Sequence, residues 1–188
     1  MAAFRVLITD YVWPSLDPER SVLDPVGAEL VVSPSPDEAT LVELSRDADA
    51  LLNCFAQVTA AVINAAPRLR IVARYGIGVD SIDVAAATAR GIPVTNVPSY
   101  CEDEVSDHAL ALLLACWRKV ALQDRAIRRD VWQVAAGMPM HRLRGRTLGI
   151  VGFGKIGRLL AEKVRGLGVR LVVADHHASA DAVAEAGG

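Results

Sequence analysis

Leu148-Gly149-Ile150-Val151-Gly152-Phe153-Gly154-Lys155-Ile156-Gly157 is the stretch that decides the fold of this chain. Residues 147–151 read as a strand, and the glycines at 152, 154 and 157 that follow are spaced G-x-G-x-x-G at the mouth of a helix. Each glycine has its own physical reason. Gly152 permits a tight turn, Gly154 lets the backbone approach a pyrophosphate, and Gly157 lets the helix lie close on the strand. A pyrophosphate would sit at the helix N-terminus, where unpaired N–H groups and the positive end of the dipole point at it, and Phe153, Lys155 and Ile156 are counted with the cofactor-binding residues.

Outward from the turn, the helix runs to Gly166-Leu167-Gly168, and a second strand over 169–174 ends on Asp175. An acid roughly 20 residues past the glycines is placed to accept the adenosine ribose hydroxyls. Its charge favours NAD over NADP, since a 2′-phosphate there would be repelled. No arginine follows to relieve that repulsion: the next residues are His176 and His177, the former counted with the cofactor residues.

Upstream, short apolar runs at 4–9, 29–32, 50–53, 70–74 and 93–96 alternate with helix-like segments, the pattern of a parallel sheet whose crossovers need helices. Pro36-Asp37 opens a helix that reaches Ser45, Thr59 caps one that reaches Ala65, and Ser81 starts one stopped by Gly91. The fold class is therefore α/β: a flavodoxin-like unit over 1–98, then the front of a doubly wound Rossmann domain over 99–188. The boundary falls near Pro98, where the pattern changes to a long helix over 102–119. That helix is apolar on most faces and is expected to be buried on several sides. A second helix over 123–130 and a loop through Gly137-Met138-Pro139-Met140 lead back to the fingerprint strand.

Composition narrows the function classes. The 188 residues are 52% hydrophobic and 22% charged, enough for a real core, and the net charge of −2 leaves no basic excess for a nucleic acid. The longest apolar stretch in the second half, 109–117, is too short to cross a bilayer, and Met1-Ala2-Ala3 lacks a signal-peptide layout, so a cytoplasmic protein is expected. Cys54, Cys101 and Cys116 match neither a disulfide framework nor a metal site and read as packing, as do Trp13, Trp117 and Trp132, the tryptophans with an interface role as the alternative.

Arg74-Tyr75-Gly76-Ile77-Gly78-Val79-Asp80, the run from Val97 to Ala111 containing Glu104-Val105-Ser106-Asp107-His108, and the fingerprint with Asp175 together resemble the D-isomer-specific 2-hydroxyacid dehydrogenases, over nearly the whole chain. Within that family the likeness is to its phosphoglycerate dehydrogenase-like and C-terminal-binding-protein branches. The resemblance implies an NAD-dependent oxidoreductase moving hydride between nicotinamide and a small 2-hydroxy or 2-keto acid. It also implies that the N–H groups of Gly76, Ile77 and Gly78 hold the substrate carboxylate, that Val105 lies against the nicotinamide and that Tyr100 stands near the cofactor. A plain strand-to-helix turn and core packing are the competing readings of these positions. Asn53, Cys54 and Phe55, at a strand end, are candidate pocket residues. His108 reads as a core or hinge histidine, and Arg74 as a surface or ion-pair residue, with neutralisation of an acid substrate as its alternative.

In the family, an arginine, an acid and a histidine that carry catalysis follow well after the ribose-binding acid. No catalytic residue is therefore assigned here, and the chain alone, stopping at Gly187-Gly188, is expected to be an inactive part of such an enzyme with the strand over 147–151 bare on one edge. An NAD(H)-responsive co-repressor-like binding protein is the alternative, as is an inert remnant. The long helix resembles the one through which relatives form two-fold dimers, which implies a homodimer.

Overall fold

The structure, a computed structural model, describes residues 4–186, so the readings placed on Met1-Ala2-Ala3 and on Gly187-Gly188 lie outside the described residues. The chain divides into two compact units, Met1–Ser99 and Tyr100–Gly188.

In the first unit five strands, β1 (Phe4–Ile8), β2 (Ala28–Val32), β3 (Ala50–Asn53), β4 (Ile71–Arg74) and β5 (Val94–Thr95), form one parallel sheet in the order β2-β1-β3-β4-β5. That is the flavodoxin-type order, with its reversal beside β1. The crossovers are α1 (Asp17–Leu23), α2 (Glu38–Ser45), α3 (Ala60–Ala65) and α4 (Val84–Ala89). Three have side-chain caps: Asp37 accepts the Thr40 N–H (3.0 Å), Thr59 that of Val62 (3.4 Å) and Asp83 that of Ala86 (2.8 Å). The last of these corrects the sequence reading. Ser81 does not start α4, because its hydroxyl is donated to Asn53 Oδ1 (3.1 Å) and its carbonyl accepts the Val58 N–H (2.8 Å). Helix α1 was not expected, although Asp17, Pro18 and Glu19 in its first turn are ordinary helix-start signals.

Leu7, Leu41, Leu51, Val58, Val62, Ile63 and Val72 fill the core between sheet and helices, each contributing about 1.5–3 kcal/mol by leaving water. Past the end of β1, Asp10 braces the loop after β3 across the sheet. Its carboxylate accepts the N–H groups of Cys54 (3.0 Å) and Phe55 (2.7 Å) and the Thr9 hydroxyl (2.8 Å). Partial burial opposes ionisation of Asp10, but the donated N–H groups of Phe55 and Cys54 outweigh it and hold the carboxyl below its usual pKa.

The second unit contains α5 (Glu102–Trp117), α6 (Val120–Ile127), β6 (Thr147–Val151), α7 (Lys155–Val164), β7 (Arg170–Ala174) and α8 (Ala180–Glu185). β6 and β7 pair in parallel as a two-stranded sheet, over which Ile150, Phe153, Ala161, Val164 and Leu171 form a small core joined by Leu110 and Leu113 of α5. Lys163 of α7 ties the two helices together, its Nζ donating to Asp107 (2.6 Å), Ser106 Oγ (2.7 Å) and Asp103 (3.1 Å).

The expectation for α5 needs correcting. The helix buries only Ser106 fully, while Val105, His108 and Leu112 are exposed. Within the unit α7 is its main neighbour and α6 a lesser one, and Val105 and Leu112 stay exposed. His108 is thus not a core histidine. Val151 of β6 is 91% exposed, as a strand of buried type with little to cover it would be.

Gly157 sits on α7 where the helix passes the turn after β6. A Cβ there would overlap the Gly152 carbonyl oxygen and lie 3.2 Å from its carbon, both backbone atoms that cannot swing aside. Gly157→Ala should therefore destabilise the second unit by about 1–3 kcal/mol, read as a lowered midpoint in chemical denaturation. The low pKa of Asp10 means that its stabilising contribution is full above the usual value of 3.8 and is lost as pH falls through the lower native value. Asp10→Asn should lower stability at pH 7 yet flatten its decline below about pH 4, as followed by denaturant midpoints across pH.

Candidate functional site

The fingerprint turn joins β6 to α7. Gly152 has φ of 90°, a left-handed conformation that only glycine adopts without strain, and its N–H is donated to the Ala174 carbonyl (2.9 Å). The next side chain, Phe153, is buried in the unit's core and carries the Arg158 guanidinium 5.6 Å above its ring. The turn is therefore anchored from below. Gly154 occupies the N-cap of α7 and offers no capping side chain. Its φ of −72° suits any residue, and a Cβ built there meets nothing within 4 Å. Neither backbone strain nor packing explains a glycine at this position. Lys155 is exposed and pairs with Glu102 (3.4 Å), and Ile156 is half-buried.

Asp175 follows β7 directly and faces the same turn. Its carboxylate accepts the Phe153 N–H (2.6 Å) and, through its other oxygen, those of His177 (2.7 Å) and Ala178 (2.9 Å). These donors, that of Phe153 foremost, hold its pKa below the usual aspartate value, so it is an anion at neutral pH. Asp175 thus has a task that the sequence does not reveal: it fixes the second residue of the glycine turn. His176 and His177 stand exposed beside it with ring centroids 6.5 Å apart.

In the first unit the turn after β4 is organised around its backbone. The carbonyls of Gly76, Ile77 and Gly78 accept, respectively, the Val97 N–H (3.1 Å), Asn96 Nδ2 (2.8 Å) and Arg74 Nε (2.9 Å). Among the described residues, none of the three N–H groups of Gly76, Ile77 and Gly78 is donated to a partner. Successive unpaired N–H groups in a turn form a concavity suited to an anion such as a carboxylate.

The candidates after β3 fare differently. Asn53 is fully buried, donating to Thr9 Oγ1 (3.2 Å) and the Ala56 carbonyl (2.7 Å), so its side chain is committed to the fold. Cys54 is buried too, and burial foremost pushes its thiol pKa up. Phe55 alone reaches solvent, 66% exposed and lying over Arg74 with the guanidinium 5.5 Å from the ring. Arg74 is half-buried and forms no ion pair among the described residues, so the surface or ion-pair reading does not hold. It joins the two turns, reaching the carbonyls of Gly78 and, at 3.3 Å, of Asn53. Sequence reasoning also missed Asp10, whose only local signal is a carboxylate just past the end of a central strand. Tyr100 and Val105 are exposed on the second unit, Val105 in the first turn of α5.

The sequence matches the family model described as the D-isomer specific 2-hydroxyacid dehydrogenase catalytic domain over residues 6–187. It is 43% identical over 144 residues to a glyoxylate reductase of Korarchaeum cryptofilum, covering 74% of this chain and 43% of that protein. It is 38% identical over 183 residues to a D-3-phosphoglycerate dehydrogenase of Mycobacterium tuberculosis, covering 97% of this chain and 34% of that protein. Among solved structures, the TT0316 protein of Thermus thermophilus superposes with a TM-score of 0.81 at 30% identity, over 94% of this chain and 57% of that one. The NAD-dependent formate dehydrogenase of Staphylococcus aureus, solved with NAD, superposes with a TM-score of 0.79 at 26% identity, over 92% of this chain and 56% of that one. The chain spans less than half the length of the curated relatives just named. With its flavodoxin-type sheet, its glycine turn and a family match along nearly its whole length, the chain belongs to the D-isomer-specific 2-hydroxyacid dehydrogenases.

Proposed function

We propose that this chain supplies the carboxylate-binding turn and the dinucleotide-binding turn of an NAD-dependent oxidoreductase acting on a small 2-hydroxy or 2-keto acid. The observation that carries the reading is Gly154, a glycine that neither strain nor packing requires, at the uncapped N-terminus of α7. The pyrophosphate of NAD fits there, held by backbone N–H groups from Gly154 to Gly157 and the helix dipole. Asp175 would accept the ribose hydroxyls with lone pairs left over from its backbone contacts. When bound, nicotinamide supplies the hydride chemistry. The chain's own part is to hold the acid by the N–H groups of Gly76, Ile77 and Gly78, with Phe55 and Arg74 beside them, and to fix the dinucleotide. The exposed apolar side of α5, including Val105 and Leu112, supports a homodimer as the assembly that covers it.

Titrating NADH by its fluorescence tests the reading. Saturable binding to the wild-type chain is expected, with Gly154→Trp abolishing it and Gly154→Ala weakening it while the folding midpoint stays that of wild type. A folded wild type that does not bind would sink the proposal. NADPH should bind more weakly than NADH by about tenfold or more, because Asp175 is an anion beside the 2′ position. Asp175→Ala should narrow that gap, and an unchanged gap would count against the ribose role.

A further inference from the structure

An ion pair that the glycine fingerprint does not require joins the N-termini of α5 and α7. Lys155 is the first residue of α7 and the one charged residue between Gly152 and Gly157. Its Nζ lies 3.4 Å from Oε1 of Glu102, the first residue of α5. The partners are unequal: the Lys155 side chain is 65% exposed and that of Glu102 only 12%. The carboxylate is therefore the fixed member, and the ammonium, on a flexible four-carbon stem, the movable one.

The surroundings hold Glu102 where it is. Cys101, the N-cap of α5, supplies no side-chain cap, and the helix dipole favours the acids of the first turn, Glu102, Asp103 and Glu104. Asp103, with Asp107, is taken up by Lys163 (3.1 and 2.6 Å), so these two are engaged elsewhere on α7. A pyrophosphate at the head of α7 meets two carboxylates of the unit. One is Asp175, whose bond to the Phe153 N–H (2.6 Å) and whose place at the ribose give it a task. The other is Glu102. A carboxylate in contact with the Lys155 ammonium lies within one Debye length (~10 Å at 0.1 M salt) of the head of α7, so its charge opposes an arriving anion.

We propose that Glu102 and the pyrophosphate of the dinucleotide compete for Lys155, so that Glu102 keeps NAD(H) binding weaker than the glycine turn and its lysine alone would make it. An exposed ion pair is weak, and Lys155 exchanges one partner for the other readily. Glu102 is thus a positioning residue that acts through Lys155. The inference rests on the oxidoreductase reading for the place of the pyrophosphate, and adds a residue that the reading leaves out.

Titration of NADH by its fluorescence onto the full 188-residue chain and its variants tests the competition. Glu102→Gln, which keeps the shape without the charge, should tighten NADH about three- to tenfold. Glu102→Asp, which keeps the charge, should stay within about twofold of wild type. Lys155→Met should weaken NADH, and in that background Glu102→Gln should gain less than it does in wild type. Raising the salt should weaken NADH less in wild type than in Glu102→Gln, because a carboxylate already neutralises the wild-type Lys155. All variants should keep the wild-type circular dichroism. Binding that is lost in Gly154→Trp, yet is unchanged or weakened by Glu102→Gln, would overturn the inference and leave the oxidoreductase reading standing. The same holds for a gain from Glu102→Gln that is equal in both backgrounds, or is matched by Glu102→Asp. A folded wild type that binds no NADH would remove both.

Discussion

Backbone amides just past the carboxyl ends of parallel strands have lost their ladder partners and must find acceptors elsewhere. Three strand ends in this chain meet that demand in three ways. After β3, the amides of Cys54 and Phe55 are satisfied by an internal anion, the Asp10 carboxylate. After β4, the carbonyls of Gly76, Ile77 and Gly78 are bonded and their amides are not. After β6, one amide, that of Phe153, goes to Asp175, while the glycine at the head of α7 leaves the helix uncapped. Carboxylates of the chain itself thus satisfy the amides after β3 and that of Phe153 after β6, while those after β4 are left open.

The two units differ in how fully they satisfy themselves. In the first, a five-stranded sheet and its helices enclose a core of fully buried aliphatic side chains, and even the buried Asp49 is paired, with Arg68 Nη2 at 2.7 Å and the Arg5 N–H at 2.8 Å. The second has two strands and a smaller core, and it exposes Val151, Val172 and much of α5. Apolar surface of that kind marks where further protein packs. This agrees with a chain that spans only part of its relatives' length.

What the sequence disclosed was local. The strand over 147–151 and the three glycines were legible because each acts through its own backbone and nearest neighbours, and Thr59 and Asp37 were legible as caps for the same reason. The misses are long-range. Asp10 reaches residues 44 and 45 positions away, and Asp175 reaches back 22 to Phe153, pairings that no periodicity encodes. Helix α5 misled for the opposite reason: an apolar circumference tells that a surface wants covering, not what covers it.

Gly154 and Gly157 stand three residues apart in one motif, yet different forces hold them. Backbone of the same chain excludes any side chain at 157, whereas at 154 a Cβ would meet nothing within 4 Å, so on the proposed function the demand for glycine there comes from the ligand. Under mutational drift the two positions therefore keep separate clocks. A lineage released from binding can lose Gly154 while Gly157 persists as long as the domain folds, so the order in which the glycines disappear dates the loss of the ligand against the loss of the fold.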